Sequence, residues 1–213
     1  FSEKVFRMKK MVTIVDYGSG NIRSVEKAIQ RLGWNTLITD SSTQIVESEA
    51  IIFPGQGNSE SAMVRLNERD LVNPLREVIG RGTPFFGVCL GMQVLLDSSE
   101  EGPTPCLGIT KGKVVLLPPE VKRPHMGWNR VNLKGEHPVF HGVDSGSYFY
   151  FVHSYYADPN EPDIVLGTTE YGVEFSSVIA IGNLIATQFH PEKSGTLGLR
   201  LYENFLSNVV GVS

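Results

Sequence analysis

Cys89 lies in Gly87-Val88-Cys89-Leu90-Gly91, after an apolar run of strand type and before a helix-like segment holding Met92, Val94, Leu95 and Leu96. A chain that turns abruptly from strand to helix crowds the positions two residues either side of the turning residue. Glycine at both positions relieves that crowding, so G-x-C-x-G has the form of a nucleophile elbow with sulfur in place of a hydroxyl. A free thiol is only a few per cent ionised at neutral pH; a helix N-terminus and a neighbouring imidazolium both favour the thiolate. Cys106 follows the turn-rich Gly102-Pro103-Thr104-Pro105 and has no base beside it, so it reads as an inert buried cysteine.

A cysteine nucleophile needs a base, and five histidines are available. His190-Pro191-Glu192 stands apart because a carboxylate follows at the second position and the intervening proline stiffens the short span. It comes just after the strand-like stretch 184–189. In a parallel sheet, sites collect at the carboxyl ends of strands, so this strand end and the elbow can face each other. Glu192 would orient the imidazole and stabilise its protonated form. His137 and His141 have helical i, i+4 spacing, but Pro138 and Gly142 spoil a helix and no third ligand follows, so no metal site is expected. His125 and His153, in aromatic-rich segments, read as packed or surface residues.

Attack on a carbonyl develops a negative oxygen that requires donors already in place, worth about 2.7–4 kcal/mol each. The N–H of Leu90, next after the nucleophile, is one expected donor. Another should come from a neighbouring strand end, and Pro54-Gly55-Gln56-Gly57-Asn58 offers flexible backbone at Gln56 and Gly57.

The elements that must hold these groups can be read from periodicity. Short apolar runs at 11–16, Asn35–Thr39, 50–53 and 84–88 alternate with helical segments. In the first of these, Ile22, Val25, Ile29 and Leu32 share one face; another is expected over 66–79. Such alternation implies parallel strands with crossover helices. Further strands are expected at 113–117, 130–133, 148–152, 164–168 and 184–189, with an antiparallel hairpin over 178–189. A closing helix carries Leu197, Leu201, Phe205 and Leu206. The expected fold is an α/β three-layer sandwich with a mostly parallel, flavodoxin-like central sheet and additional antiparallel strands in the second half. Residues 11–210 are read as one domain, and residues 1–10 as an N-terminal extension, natural or added.

Bulk properties narrow the function. A net charge of −4 argues against a general nucleic-acid binder. Yet six basic residues between Lys111 and Lys134 are opposed only by Glu120, which suggests either a solvated face or a docking surface. No apolar run approaches the roughly 18 residues that span a membrane. Two cysteines make no disulfide framework, and a cytoplasmic location is expected. Neither a phosphate-binding G-x-x-x-x-G-K-[ST] loop nor a G-x-G-x-x-G fingerprint is present; Gly18-Ser19-Gly20 lacks the third glycine.

The 54–57, 87–93 and 188–192 motifs, in this order and spacing, together resemble the class I (triad) glutamine amidotransferases. Arg123-Pro124-His125-Met126-Gly127-Trp128-Asn129, the aromatic run 148–155 and the lysine after Glu192 are similar to the glutaminase subunits of imidazole glycerol phosphate synthase. The resemblance implies a thioester mechanism with Cys89, His190 and Glu192, no cofactor, and release of ammonia from L-glutamine. It implies substrate contacts at Gly55, Gln93, His153, Ser154 and Tyr155. It also implies a heterodimer with a (β/α)₈-barrel synthase subunit of histidine biosynthesis, faced by Pro124, Met126, Trp128, Asn129 and Lys193. The family loop usually carries Val between its glycines where this chain has Gln56. Three alternatives differ in client or chemistry: a glutaminase for another biosynthetic synthase, a stand-alone cysteine peptidase or γ-glutamyl hydrolase, and a non-catalytic regulatory partner. The triad is complete, which disfavours the last. Ammonia has no evident acceptor site within the chain, so a lone subunit is expected to be nearly idle until it docks.

Overall fold

The computed structural model describes residues 11–102 and 104–210; the extension read at 1–10 lies outside the described residues. The first half alternates strand and helix: β1 (Met11–Val15), α1 (Ile22–Arg31), β2 (Asn35–Thr39), α2 (Ser42–Val46), β3 (Ile51–Gly55), α3 (Ser59–Glu68), α4 (Val72–Gly80), β4 (Phe85–Cys89) and α5 (Leu90–Gln93). β1 pairs in parallel with β2 and β3, and β4 in parallel with β3. The second half is strand-rich. It runs β5 (Ser98–Ser99), β6 (Thr104–Pro105), β7 (Gly112–Leu116), β8 (His125–Leu133), β9 (Ser147–His153), β10 (Tyr155–Pro159), β11 (Val165–Glu170), β12 (Glu174–Ile181) and β13 (Leu184–Thr187), then α6 (Gly195–Asn204). Among the described residues these strands form one mixed sheet, ordered β2-β1-β3-β4-β13-β12-β10-β7-β5-β6. β11 joins β12 to β8, and β8 carries β9.

Strand alternation sorts the core into two layers. Val12, Ile14, Ile52, Phe86, Val88 and Ile185 point to one face, where Val25 and Ile29 of α1 and Leu201 and Tyr202 of α6 cover them. Ile51, Phe53, Phe85, Leu184 and Ala186 point to the other, beneath Ala62 and Leu66 of α3 and Leu75 and Val78 of α4. Each fully buried aliphatic side chain contributes about 1.5–3 kcal/mol. The three-layer expectation is met: helices cover both faces of a sheet whose centre is parallel and whose second half is largely antiparallel.

Two helices differ from expectation. The segment 66–79 is interrupted: α3 ends at Glu68, Asp70 adopts a left-handed φ of 54°, and α4 starts at Val72. Pro74 accounts for the break, because it is tolerated in the first turn of a helix but would clash with the fourth residue before it in a continuous one. The helix after Cys89 is a single turn. The carbonyls of Val94, Leu95 and Leu96, which would carry it forward, accept instead from Leu107, Ile109 and Gly108. Among the strands, β10 was not anticipated, and β8 starts at His125 rather than at residue 130.

Candidate active site

Cys89 closes β4 and turns the chain into α5 with φ 54° and ψ −106°, a conformation that costs a non-glycine residue about 1–3 kcal/mol. The flanking glycines make the bend possible. A Cβ on Gly87 would lie 2.9 Å from the Gly91 carbonyl oxygen, and one on Gly91 would lie 2.1 Å from that of Phe53. Because β3 and β4 run in register, Gly55 sits beside Cys89 and presses on the elbow. A Cβ on Gly55 would be 2.8 Å from the Leu90 Cβ. Any helix-dipole contribution from the single turn of α5 is small, so the electrostatic help at the sulfur rests on individual N–H groups and on histidine.

His190 follows β13, which is the other parallel neighbour of β4. Its backbone N–H donates to the Tyr150 carbonyl (2.9 Å). The Ser194 hydroxyl donates to the His190 carbonyl at 2.7 Å and accepts from the Tyr150 N–H at 3.0 Å, so the loop is tied to β9. The His190 Nδ1 and Glu192 Oε1 are 2.8 Å apart, with both side chains almost fully excluded from solvent. Glu192 is held from two further directions: the Asn21 amide donates to Oε1, and the Tyr202 hydroxyl to Oε2 at 3.4 Å. The ring's other nitrogen, Nε2, is buried without a well-formed hydrogen bond, and the Cys89 sulfur acts on it as a neighbouring charge. Burial alone would lower the His190 pKa, but the Cys89 sulfur and then Glu192 outweigh it and push the ring up to about 10. The His190 ring is therefore held in its protonated form beside the Cys89 sulfur.

A cavity of about 170 Å³ opens over this pair. It is smaller than the roughly 300–1,000 Å³ typical of drug-sized sites, and so suits a single small metabolite. Gln56, Gly57 and Leu90, the three expected oxyanion positions, line it with Cys89 and His190. The Gln56 side chain lies over the preceding turn, its Nε2 occupying the space a Cβ on Gly20 would need (1.9 Å). The Gln56 side chain, where the family usually has Val, thus links the 55–57 loop to the 17–20 turn. Gln93, His153, Ser154 and Tyr155 form another wall. The Gln93 Nε2 donates to the Tyr155 carbonyl (2.6 Å) and to the Gln188 Oε1 (3.1 Å). The Gln188 Nε2 in turn donates to the Cys89 sulfur (3.5 Å). Gly55, expected to touch substrate, is not among the residues lining the cavity and packs against the elbow at Leu90.

Sequence reading missed four residues here: Asn21, Tyr202, Gln188 and Glu101. Glu101 is the one carboxylate among the cavity-lining residues. It accepts from the Ser59 N–H (2.9 Å) and has no ion-pair partner among the described residues. Burial raises its pKa, so an incoming cation would stabilise its charged form.

The other polar clusters lack this convergence. A larger open hollow of about 650 Å³ lies between 133 and 143, but no nucleophile lines it. Its His137 Nδ1 is used to accept from the Val139 N–H. Cys106 is buried, which pushes its thiol up to about 11 and keeps it protonated.

The expected partner face is an apolar strip on paired β8 and β9. Met126, Trp128 and Tyr148 are the exposed large residues there, at 63%, 55% and 47% exposure. Val152, opposite Met126, lines the cavity, so the strip runs into the site. Pro124 and Lys193 are also exposed and Asn129 is half-buried. The basic stretch 111–134 is not one positive surface, because Lys111, Lys113 and Lys134 are paired with Asp97, Glu100 and Glu174.

The glutamine amidotransferase class-I family matches residues 13–209, and the chain belongs to that family. It is therefore an enzyme of the glutamine amidotransferase type. It is 48% identical to the imidazole glycerol phosphate synthase subunit HisH of Dehalococcoides mccartyi, over 94% of this chain and 98% of the relative. It is 47% identical to the HisH subunit of Methanocaldococcus jannaschii, over 92% and 98% respectively. These relatives narrow the family to the glutaminase subunits of imidazole glycerol phosphate synthase. Solved structures share the fold at low identity. A glutamine amidotransferase crystal structure has a TM-score of 0.73 at 21% identity, covering 94% of this chain and 98% of that one. For PurLQS from Thermotoga maritima the values are 0.72, 18%, 94% and 99%. Among the described residues no helix is long and apolar enough to cross a membrane.

Proposed function

We propose that residues 11–210 act as one glutaminase domain in which Cys89, His190 and Glu192 hydrolyse L-glutamine. The Cys89 thiolate attacks the side-chain amide carbon. A C–S bond forms, and the negative charge moves to an oxygen facing the N–H groups at Gln56, Gly57 and Leu90. His190, protonated at Nε2, gives its proton to the amide nitrogen as the C–N bond breaks, and ammonia leaves a glutamyl thioester. Water then attacks the thioester while His190 takes its proton. The C–S bond breaks and glutamate departs, restoring thiolate and imidazolium. Glu192 holds Nδ1 and stabilises the charged ring throughout.

Selectivity for an amino acid follows from Glu101, which suits the α-ammonium, and from Gln93, Ser154 and the Tyr155 backbone beside it. Gly55 and His153 shape this cradle from behind. Ammonia passes to a (β/α)₈-barrel synthase subunit in a cytoplasmic heterodimer. Met126 and Trp128 form the centre of that interface, with Pro124, Asn129 and Lys193 around them. The observation that carries this reading is the convergence of a strained cysteine, a buried His–Glu pair and a lone carboxylate on one small cavity.

The test is Cys89→Ala in the assembled synthase. Glutamine-dependent synthesis should fall by about three orders of magnitude or more, while synthesis from added ammonium salts continues. Loss of both would make the cysteine structural; retention of both would end the proposal.

A further inference from the structure

Behind the cavity, on the face of β8 and β9 opposite the apolar strip, two histidines touch across the strand pair. His125 and His153 are register partners, and the His125 Nδ1 lies 3.0 Å from the His153 Nε2. Both are buried. The His153 Nδ1 is 2.9 Å from the Tyr155 carbonyl oxygen, and the Asn129 Nδ2 is 3.3 Å from the His125 Nε2.

The proton positions follow by elimination. A carbonyl only accepts, so the His153 Nδ1 carries a hydrogen and donates it. A neutral ring then offers its Nε2 as an acceptor, which the His125 Nδ1–H fills. The remaining His125 Nε2 accepts from the Asn129 amide. Every group is matched only with both rings neutral, and burial favours that state by pulling the two pKa values down to about 4 and about 3. The chain of donors does not stop at Tyr155. That carbonyl also receives Gln93, whose amide reaches Gln188, whose amide reaches the Cys89 sulfur. One continuous run of hydrogen bonds thus joins the docking strand to the nucleophile.

We propose that His125 is a positioning residue for glutamine: through His153 it fixes the Tyr155 carbonyl that cradles the substrate and orders the Gln93–Gln188 pair beneath the sulfur. Asn129 anchors the outer end of this run on β8. Its side chain is held by the Glu170 carbonyl (2.9 Å) and the Arg130 N–H (2.8 Å). Movement of β8 on docking therefore reaches the cradle through matched donors and acceptors rather than through packing alone. The role of His125 rests on the glutaminase reading and extends it to a residue outside the cavity.

Two substitutions separate hydrogen bonding from packing. The His125 ring stacks on Tyr171 (4.0 Å between centroids) and Phe151 (4.9 Å), contacts that His125→Phe retains while it removes the donor to His153. His125→Asn loses the stacking but restores an N–H close to the Nδ1 position. In the complete synthase, His125→Phe should raise KM for glutamine about tenfold with a smaller fall in kcat. His125→Asn should recover most of that loss, and ammonium-driven synthesis should not change. Wild-type glutamine kinetics in His125→Phe would overturn the proposal. So would a fall in kcat alone with KM unchanged, or equal impairment of both variants. Nitrogen NMR of the unmutated protein provides a check that needs no variant and no turnover: both rings should be neutral with hydrogen on Nδ1. A charged ring or hydrogen on Nε2 would contradict the inference. If the wild-type synthase fails to use glutamine, the glutaminase reading falls, and the NMR result still stands on its own.

Discussion

The Asn21 side-chain amide donates to the same Glu192 oxygen that holds His190, although 171 residues separate the two in the chain. Asn21 is also the left-handed residue that starts α1, at φ 72°. One residue therefore begins a helix and steadies the carboxylate behind the His190 ring.

The pH dependence follows from His190. Its pKa is raised from 6.5 to about 10. Proton linkage then gives a contribution to stability that is fully present below the unfolded value near 6.5 and is lost as pH rises through about 10. The alkaline limb of kcat/KM should fall in the same range. Glu192→Gln removes a charge that raises the ring's pKa. It should shift that limb to lower pH and cut glutamine turnover by about two to four orders of magnitude. Because the sulfur raises the ring more than Glu192 does, Cys89→Ala should lower the His190 pKa further, as read by NMR titration. An unchanged His190 pKa in both variants would refute the coupling.

Glu101 is expected to bind rather than react. Glu101→Gln keeps an acceptor but loses the charge facing the α-ammonium. KM for glutamine should rise roughly tenfold to a hundredfold with kcat largely kept, the pattern of lost uniform binding. Steady-state kinetics at saturating and limiting glutamine distinguish this from a drop in kcat.

The elbow makes a purely steric prediction. Gly91→Ala places a methyl group 2.1 Å from the Phe53 carbonyl oxygen, a backbone atom that cannot swing away. Chemical denaturation should show a loss of about 3 kcal/mol or more. A variant as stable as the parent would mean that the bend is looser than drawn.

Trp128 should be the anchor of the partner contact, because it is large, exposed and packed on Tyr150 at 6.2 Å. Trp128→Ala should weaken binding of the synthase subunit by about 2 kcal/mol, roughly thirtyfold in Kd. Titration calorimetry measures this directly, and an unchanged Kd would move the interface elsewhere.

How much of this was legible in the sequence depended on chain separation. Cys89 with its two glycines and His190 with Glu192 are local patterns whose physical purpose can be read from spacing. Asn21, Tyr202 and Glu101 carry no such pattern. Asn21 looks like part of a Gly-Ser-Gly turn, Tyr202 like one more apolar position of α6, and Glu101 like a solvated turn residue. Only the fold brings them to the site. Gln188 did carry a signal, being a polar residue directly after an apolar strand, and the structure buries it fully. The break between α3 and α4 was also readable, from Pro74. The single turn of α5 was not, because the loop 107–110 that takes its carbonyls is distant in sequence. The lysines of the basic stretch were misleading for the same reason, since Lys113 and Lys134 find their acids on other elements.

The most direct test is rapid acid quenching of the assembled synthase during turnover of carbon-labelled glutamine, followed by peptide mapping. Label should appear as a glutamyl thioester on Cys89, with none on Cys106, and should vanish as glutamate forms. Glutamine turnover with Cys89 left unlabelled, or with the glutamyl group on another residue, would contradict the account.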